Sequence, residues 1–520
     1  MQSPDWAVAV NSELQALLKN NTWTLSTLPA NRRVVGCKWL FKVKRKADGT
    51  VDRYKARLVA KGFSQHAGFD FRDTFSPVVR AATIRVVLAL AVIKGWSLRQ
   101  IDVNNAFLNG DLTEEIYMAQ PPGFEKQGSN GQQLVCKLNK ALYGLRQAPR
   151  AWFITLKQYL VTNLGFTASK ADTSLFVRVS SDHIVLLMVY VDDIVITGSS
   201  TEEIDRVVHQ LHSKFALKDM GQLHFFLGIE VQHTLQGLFL SQKKYILEIL
   251  HKTGMADATA TPTPMVTTPK LTTSDSSPPF ADVHLYRSTV GMLQYLCITR
   301  PELSFCVNKL SQYMNLPSET HWRAVKRVLR YLVGTVDYGL HFSKGQAEVI
   351  CYSDADWASS MEDRRSTTGY VVYLGPNPVA WCSRKQPVVS RSSSEAEYRS
   401  LANCVSELLW VKQLIGEIGL SNIPPPVVWC DNTSTVSIAE NPTHHARIKH
   451  VEIDHHFVRE KVLDGTLQVN FVPSAEQVAD VLTKPIAPKQ FESFRQALRV
   501  LKQDSVLSCS NEKETGRMLE

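Results

Sequence analysis

The segment His183–Ser200 reads HIVLLMVYVDDIVITGSS. An apolar run, His183–Val191, precedes the adjacent acids Asp192 and Asp193, and a second apolar run, Ile194–Thr197, follows them. Apolar runs of this length predict two buried strands that meet at the acids. Two adjacent carboxylates between buried strands are costly to desolvate and repel each other, so divalent cations would stabilise them. The alternative is an ordinary hairpin turn whose Asp side chains face water.

A third acid stands in the segment IDVNNAFLNG, where Asp102 follows a short apolar stretch. A pair of metal ions needs more ligands than two adjacent carboxylates supply, so Asp102 is a candidate partner for Asp192 and Asp193. Taken alone, Asp102 also fits an acid that starts a turn.

The strongest local charge lies between Asn31 and Lys61, with eleven Lys and Arg residues against two Asp. The runs Trp39–Lys46 and Tyr54–Gly62 flank an Asp48-Gly49 pair, which predicts a hairpin. Such a basic hairpin could hold the phosphates of a nucleic acid or of a nucleoside triphosphate. The alternative is a solvated hairpin whose charges serve solubility.

Further acids follow predicted strands in the C-terminal part of the chain. The segment EVICYSDADW places Asp354 near the end of an alternating strand, and VVWCDNTS places Asp431 at the end of another. Asp356 competes with Asp354, which it follows by two residues. Asp431 could instead be an N-cap of the following helix.

Two more acids fall in predicted helices. The segment SSSEAEYRSLANCVSELLW predicts a long amphipathic helix with Glu395 and Glu397 in its first turn. These two could serve only as partners of the helix dipole. The segment SAEQVADVLTKP predicts a capping box, Ser474–Gln477, with Asp480 in the next turn.

Composition excludes several protein classes. The 520 residues include 58 Lys and Arg and 49 Asp and Glu, a net charge of +9, with 44% hydrophobic residues. This balance is typical of a folded globular chain and not of a disordered, collagen-like or coiled-coil chain. The longest apolar runs, such as Val86–Ile93, are too short to span a membrane. Nine Cys without a CxxC pair and no visible secretory signal favour a reducing compartment, cytoplasmic or nuclear.

The connection between the two groups of acids has its own composition. Ala256–Val283 is rich in Pro, Ser and Thr and lacks periodicity, which predicts an extended connection rather than packed structure. Tyr286–Ser343 places apolar residues three and four apart and is predicted to be helical.

Five ordered segments carry a resemblance to a known family: RYKARLVAKGF, IDVNNAFLNG, LNKALYGLRQAPRAW, YVDD and FLGIEV. In this order and spacing they closely resemble the reverse transcriptase of copia-type LTR retrotransposons in their plant form, and the resemblance extends from about Trp6 to Arg499. It implies that Asp102, Asp192 and Asp193 are the catalytic, metal-binding acids of a polymerase palm.

The same resemblance implies a nucleotide-binding set. Lys55 and Arg57 would hold the triphosphate, Phe107 would lie beneath the sugar of the incoming nucleotide, and Gly144 of LYGL would belong to the substrate site. Phe107 could instead be a core residue, because its neighbours are apolar. Tyr143 stands where retroviral enzymes carry a Gln, and that Gln's role is not assigned to it.

The C-terminal acids resemble those of a ribonuclease H. The resemblance implies that Asp354, Glu397, Asp431 and Asp480 are catalytic acids that bind two metal ions. The implied fold is an α+β right-hand polymerase with fingers, palm, thumb and a connection region, followed by an α/β RNase H-like domain. The predicted ranges are 1–255 for the polymerase, 256–345 for linker and connection, 346–487 for the RNase H-like domain and 488–520 for a C-terminal helix and polar tail.

The resemblance implies an RNA-directed DNA polymerase with ribonuclease H activity that uses Mg²⁺, two ions per active site, with Mn²⁺ possible. Its expected partners are an RNA template, a primer, the RNA–DNA hybrid and dNTPs. No membrane partner is expected, and the resemblance does not predict the oligomeric state. The alternative is a decayed or co-opted copy that binds nucleic acid without catalysis. A cellular ribonuclease H does not explain Gly36–Val231. Because capsid, protease and integrase regions are absent from the sequence, a fragment of a mobile element is expected.

Overall fold

A computed structural model describes residues 3–45, 50–273, 276–420, 423–440 and 452–507. The predicted turn at Asp48 and Gly49 lies outside these residues. No helix within them is long and apolar enough to cross a membrane. In chain order the helices are α1 (Pro4–Lys19), α2 (Ala81–Lys94), α3 (Ala148–Thr162), α4 (Thr201–Lys214), α5 (Lys243–Lys252), α6 (Val283–Leu296), α7 (Ser304–Ser311), α8 (Glu319–Val333), α9 (Ser393–Glu417), α10 (Thr433–Glu440), α11 (Glu452–Leu463) and α12 (Pro488–Ala497).

The strands of the same residues alternate with these helices throughout the chain. They are β1 (Trp23–Ser26), β2 (Val34–Val35), β3 (Cys37–Arg45), β4 (Val51–Ala60), β5 (Ser97–Val103), β6 (Tyr117–Met118), β7 (Val135–Leu138), β8 (Thr167–Ala168), β9 (Leu175–Val179), β10 (Ile184–Tyr190), β11 (Asp193–Gly198), β12 (Leu217–Gln222), β13 (Phe225–Phe226), β14 (Ile229–Thr234), β15 (Gly237–Ser241), β16 (Tyr338–Ser343), β17 (Val349–Asp356), β18 (Thr367–Leu374), β19 (Asn377–Lys385), β20 (Val427–Cys430), β21 (Gln468–Phe471) and β22 (Val500–Lys502).

The chain divides into two compact units. Unit 1 comprises Met1–Val79 and Arg99–Gly221, and unit 2 comprises Arg80–Leu98 and Gln222–Glu520. The breaks between these units, after residues 79, 98 and 221, differ from the domain boundaries predicted from the sequence at residues 255, 345 and 487. The predicted domain boundaries stay predictions. Each unit holds one of the two groups of acids.

The described residues of unit 1 form three sheets. The largest has the strand order β12-β5-β11-β10-β9-β8, and a second has the order β1-β7-β6-β2. Strands β3 and β4 pair with each other as an antiparallel ribbon, so the predicted basic hairpin is confirmed in its two strands.

The hairpin of β10 and β11 forms the centre of the large sheet. β10 is buried along most of its length, as expected of an apolar run, and it pairs antiparallel with β11. The register pairs Tyr190 with Asp193, which leaves Val191 and Asp192 in the turn. Val191 adopts a φ of 57° there. The two strands predicted around the acid pair are therefore confirmed.

Two five-stranded sheets lie within the part of unit 2 that the structure describes. One is antiparallel, in the order β13-β14-β15-β16-β22. The other has the order β19-β18-β17-β20-β21, with β17, β20 and β21 parallel and β18 and β19 antiparallel. Helix α9 packs on β17 and β18 of this mixed sheet. The α/β alternation predicted for the C-terminal part is present.

Helix α2 packs within unit 2, although it lies early in the sequence. Its residues from Thr83 to Val92 are buried, consistent with an apolar run. The buried Arg85 donates from Nε to the carbonyl of Val379 at 2.7 Å, and its guanidinium lies 3.8 Å from the centroid of the Trp381 ring. A backbone carbonyl of β19 thus accepts a hydrogen bond from the buried Arg85, a charged residue within an otherwise apolar stretch of α2.

The connection after residue 255 differs in part from its prediction. The described residues of 256–282 form no helix and only an isolated bridge at Pro279, so the extended form is confirmed. They are nevertheless packed, because Thr263 is buried and accepts a hydrogen bond from Arg327 of α8 at 2.9 Å. The helical prediction is wrong at its end, where Tyr338–Ser343 forms β16 by pairing with β15 and β22.

Candidate active sites

The first group of acids lies where two neighbouring strands of unit 1 end. Asp102 stands on β5, and the turn between β10 and β11 carries Asp192 and Asp193. The Val103 amide donates to the Asp192 carbonyl at 2.9 Å, which ties β5 to the turn. The Trp152 indole fixes the other side of the turn by donating to the Val191 carbonyl at 2.6 Å. The fold thus brings the three predicted acids to one place.

Burial and mutual repulsion destabilise the charged forms of these acids. Burial raises the pKa of Asp102, and the charge of Asp192 raises it further. The pKa of Asp193 is raised by burial and then by Asp192 and Asp102. A bound cation would relieve this repulsion. The carboxylate oxygens of these three acids do not all lie within 4.8 Å of one another. Among the described residues, oxygens of Asp354, Asp431 and Asp480 do meet that distance.

The acids open onto a cleft of about 1010 Å³ that five Lys and Arg residues also line, Lys55 and Arg57 among them. Lys55 and Arg57 stand on the same face of β4, and the charges of both lower the pKa of Asp102 against the effect of burial. Burial lowers the pKa of Lys55, and the neighbouring Arg57 lowers it further. Cations crowded in this way are stabilised by an anion, and a triphosphate supplies several charges.

Two predicted substrate residues lie outside the lining of this cleft. Phe107 is 8% exposed, belongs to the core of unit 1 and has its ring centroid 4.5 Å from that of Tyr143. Gly144 has a φ of 94°, and a Cβ there would lie 2.1 Å from the Ala60 carbonyl oxygen. The Ala60 amide donates to the Tyr143 carbonyl at 2.8 Å, so this glycine allows close contact with β4.

The second group of acids converges at one edge of the mixed sheet of unit 2. Asp354 lies on β17, and Asp431 directly follows the parallel neighbour β20. Glu397 comes from α9, and Asp480 from the short 3-10 helix Val478–Leu482. Oxygens of Asp354, Asp431 and Asp480 all lie within 4.8 Å of one another. The fold therefore brings together the acids predicted from four separate segments.

Glu397 belongs to an overlapping group with Asp431 and Cys430. Burial raises the pKa of the Cys430 thiol well above its usual value, and Glu397 raises it further. A protonated thiol is a poor ligand, so the carboxylates remain as donors. One carboxylate oxygen of Glu397, Oε2, is buried and has no hydrogen-bond partner among the described residues. A hard divalent cation such as Mg²⁺ fits this set of oxygen donors.

The carboxylates of this group are held in an environment that favours protonation. Burial raises the pKa of Asp480 to about 7, and Asp354 contributes further. Burial also raises the pKa of Asp354, which is 2% exposed and accepts a hydrogen bond from the Thr483 hydroxyl. The charge of Lys484 partly offsets the effect of burial on the pKa of both acids. Its Nζ lies 2.8 Å from Oδ1 of Asp480 and 4.0 Å from Oδ2 of Asp354.

The structure also bears on two predictions near this site, the capping box at Ser474 and the competing acid Asp356. The predicted capping box is wrong: Ser474–Glu476 is a 3-10 turn without a side-chain cap, and the Ser474 hydroxyl donates to Oδ2 of Asp431 at 2.8 Å. Asp356 lies two residues beyond Asp354 and is outside both groups of potential metal ligands among the described residues.

Comparison with known proteins gives the family. A family model described as reverse transcriptase (RNA-dependent DNA polymerase) matches residues 20–267. The chain is 48% identical over 504 residues to the Retrovirus-related Pol polyprotein from transposon RE2 of Arabidopsis thaliana, covering 96% of this chain and 34% of that protein. It is 33% identical over 312 residues to the putative transposon Ty5-1 protein YCL074W of Saccharomyces cerevisiae, covering 59% of this chain and 100% of that protein. The chain belongs to the reverse transcriptase family of retrotransposon Pol polyproteins.

The resemblance inferred from the five segments is thereby confirmed. This reverse transcriptase chain spans about a third of the length of the Arabidopsis polyprotein. A solved foamy viral protease-reverse transcriptase in complex with an RNA/DNA hybrid aligns with a TM-score of 0.45 and 12% identity, over 91% of this chain and 54% of that chain. The second group of acids lies beyond the residues that the family model matches.

Three residues of the two candidate sites have contacts that the sequence analysis did not identify. Tyr143 lies under Arg57, with the guanidinium 4.0 Å from the ring centroid. Glu13 of α1 also lines the cleft. Burial raises its pKa, whereas the nearby Arg57 and a hydrogen bond from the Leu58 backbone lower it. Lys484 completes the second site. The amphipathic pattern of α1 could have indicated packing, but no local signal indicated these contacts.

Proposed function

We propose that this reverse transcriptase chain is an RNA-directed DNA polymerase that also carries ribonuclease H activity. Its substrates would be a primer on an RNA template with dNTPs, and then the RNA strand of the hybrid. The observation that carries the proposal is the presence of two separate acid groups, one in each compact unit, with the first facing Lys55 and Arg57 across a cleft. The expected compartment stays the cytoplasm or the nucleus.

At the first site, Asp102, Asp192 and Asp193 would hold two Mg²⁺. Bound Mg²⁺ would activate the primer 3′-hydroxyl as a nucleophile and would neutralise the charge on the leaving pyrophosphate. The chain's own groups do the positioning. β5 and the β10–β11 turn fix the carboxylates, and Lys55 and Arg57 bind the triphosphate of the incoming nucleotide from β4.

At the second site, Asp354, Glu397, Asp431 and Asp480 would hold two Mg²⁺. Bound Mg²⁺ would lower the pKa of a water molecule, so that its deprotonated form can attack an RNA phosphodiester. Thr483 orients Asp354 through its hydroxyl, and Ser474 orients Asp431 in the same way. The Lys484 ammonium limits the repulsion among the carboxylates before any metal is bound.

Two assays on the purified chain test this proposal. The first measures extension of a DNA primer on an RNA template with four dNTPs and Mg²⁺. The second measures cleavage of labelled RNA in a hybrid without dNTPs. We expect both products with Mg²⁺, both with Mn²⁺, and neither with EDTA. A chain that binds the primer–template yet gives neither product with either metal would support the alternative, a decayed or co-opted copy that only binds nucleic acid.

A further inference from the structure

Unit 2 contains a cavity of about 260 Å³ that the two acid groups do not line. The connection segment Pro264–Leu271 closes one side, and helices α7 and α8 form the other walls. The ends of β17 and β19 contribute Asp356 and Lys385. This space, here called the connector cavity, is slightly smaller than the ~300–1,000 Å³ of drug-sized ligand pockets. It has room for one small molecule but not for a nucleic-acid duplex.

Part of the wall of the connector cavity is apolar. Pro264, Met265 and Leu271 come from the connection segment, and Phe305 comes from α7. Apolar and aromatic side chains that enclose a small volume favour a flat, apolar part of a ligand. A bare inorganic anion would leave these side chains without a partner.

The remaining wall is strongly cationic. Five Lys and Arg residues line the cavity against a single acid, Asp356. Some are engaged, since Lys385 pairs with Asp363 at 2.9 Å and Arg327 donates to Thr263. Their excess charge remains, and positive charges gathered around a small cavity are stabilised by an anion.

Lys309 is a cation of the lining that has acids near it, Glu362 and Asp363, but none at ion-pair distance among the described residues. Among the described residues it makes no hydrogen bond or ion pair, and its Nζ lies 5.7 Å from the centroid of the Tyr313 ring. Burial lowers its pKa and the nearby Lys385 lowers it further, whereas Glu362 and Asp363 partly offset this effect. An anion in the cavity would stabilise the charged form of Lys309, and phosphate is an anion for which Lys is a common ligand.

From the joint presence of an apolar wall and surplus cations in one nucleotide-sized space, we propose that the connector cavity binds a single nucleotide. The base would lie against the apolar side chains, and the phosphate would face Lys309 and its neighbouring cations. The nucleotide could be free or could be the unpaired end of a nucleic-acid strand. The proposal goes beyond the two catalytic activities and does not require either of them.

The test measures binding of a fluorescent nucleotide, methylanthraniloyl-AMP, to the full chain by anisotropy. EDTA is present throughout, so that no metal-dependent binding at the acid groups contributes. AMP, adenosine and inorganic phosphate are the competitors, and an oligonucleotide with an unpaired 5′-phosphorylated end is compared with its blunt hybrid. We expect AMP to compete at least tenfold more strongly than adenosine or phosphate.

Three variants locate the binding. Lys309→Ala should weaken the probe affinity at least fivefold, whereas Lys326→Ala, on α8 but outside the cavity lining, should leave it within twofold. Arg57→Ala is the variant that reports binding of the probe at the first cleft, because Arg57 belongs to unit 1. A thermal unfolding curve establishes that Lys309→Ala is folded.

Several outcomes would overturn the proposal. These are the absence of saturable binding, equal competition by phosphate and AMP, or unchanged affinity in folded Lys309→Ala. Loss of binding in Arg57→Ala alone would place the nucleotide in the first cleft instead. If the oligonucleotide end competes better than free AMP, the ligand is a strand end, and the reverse order identifies the free nucleotide. Failure here would leave the polymerase and ribonuclease assays unaffected, so the two proposals can be judged separately.

Discussion

The guanidinium of Arg57 lies 4.0 Å from the centroid of the Tyr143 ring, and that ring in turn contacts Phe107. A cation of the cleft is therefore supported by an aromatic pair that extends into the core. Cation–π contact of this kind contributes about 0.5–2 kcal/mol and also restricts the direction of the guanidinium. This relationship places the Tyr143 ring between Arg57 and Phe107.

Arg57→Ala should raise the KM for dNTP more than it weakens binding of a primer–template duplex. Arg57 faces Asp102 across the cleft, where an incoming triphosphate would lie. Steady-state kinetics and duplex affinity at two salt concentrations measure the two effects. Lys157→Ala, an exposed change on α3, is the control. If Arg57→Ala lowers only the duplex affinity and its salt dependence, β4 is a nucleic-acid surface and not a triphosphate clamp.

Phe107→Val should increase the ratio of rNTP to dNTP incorporation while keeping dNTP incorporation within about tenfold, or about 1.4 kcal/mol. The smaller side chain would relieve the clash with a 2′-hydroxyl that the family resemblance implies. It should also cost about 1–3 kcal/mol of stability, because Phe107 is buried. Phe153→Val makes a cavity in the same core and should leave the ratio unchanged. An unchanged ratio in Phe107→Val as well would make Phe107 a core residue only.

Gly144→Ala should destabilise unit 1 by more than about 2 kcal/mol. Its positive φ costs an L-residue about 1–2 kcal/mol, and the added Cβ would collide with the backbone of β4. Gly165→Ala is a matched control, because Gly165 has a φ of 69° and no atom near the position of a Cβ. Urea unfolding of both variants isolates the effect of the collision. Equal losses for the two would mean that the contact between Gly144 and β4 contributes nothing.

Magnesium should stabilise the chain more at pH 8 than at pH 6. The raised pKa of Asp480, about 7, means that the folded state disfavours its charged form. Without metal, this acid therefore reduces stability as the pH rises from about 4, its unfolded pKa, to 7. Metal binding requires the charged form and offsets that loss.

The measurement for this prediction is the Tm with and without Mg²⁺ at both pH values. Asp480→Asn should reduce the difference between the two pH values, and Asp257→Asn, an exposed change, should not. An equal gain in Tm at pH 6 and pH 8 in the unmodified chain would show that protons do not compete with the metal at this site.

Local patterns were sufficient for features that the chain builds from neighbouring residues. The apolar runs around Asp192 predicted β10 and β11, and the basic runs predicted β3 and β4. These predictions succeed because a strand pair with a short turn is fixed by residues close in sequence. The composition of the segment after residue 255 likewise predicted its extended form.

Contacts between distant segments could not be found in this way. Ser474 donates a hydrogen bond to Asp431 instead of capping its own turn, and the Nζ of Lys484 lies 4.0 Å from Asp354 of β17. In each case the partner is set by tertiary packing, which overrides the local signal.

The central claim is that the chain holds two independent catalytic sites. It is tested most directly by primer extension and RNA cleavage assays on Asp192→Asn and Asp354→Asn, run in parallel. Because the two acids lie in different compact units, Asp192→Asn should abolish DNA synthesis and leave RNA cleavage largely intact. Asp354→Asn should abolish RNA cleavage and leave DNA synthesis. Equal loss of both activities in either folded variant would contradict the account.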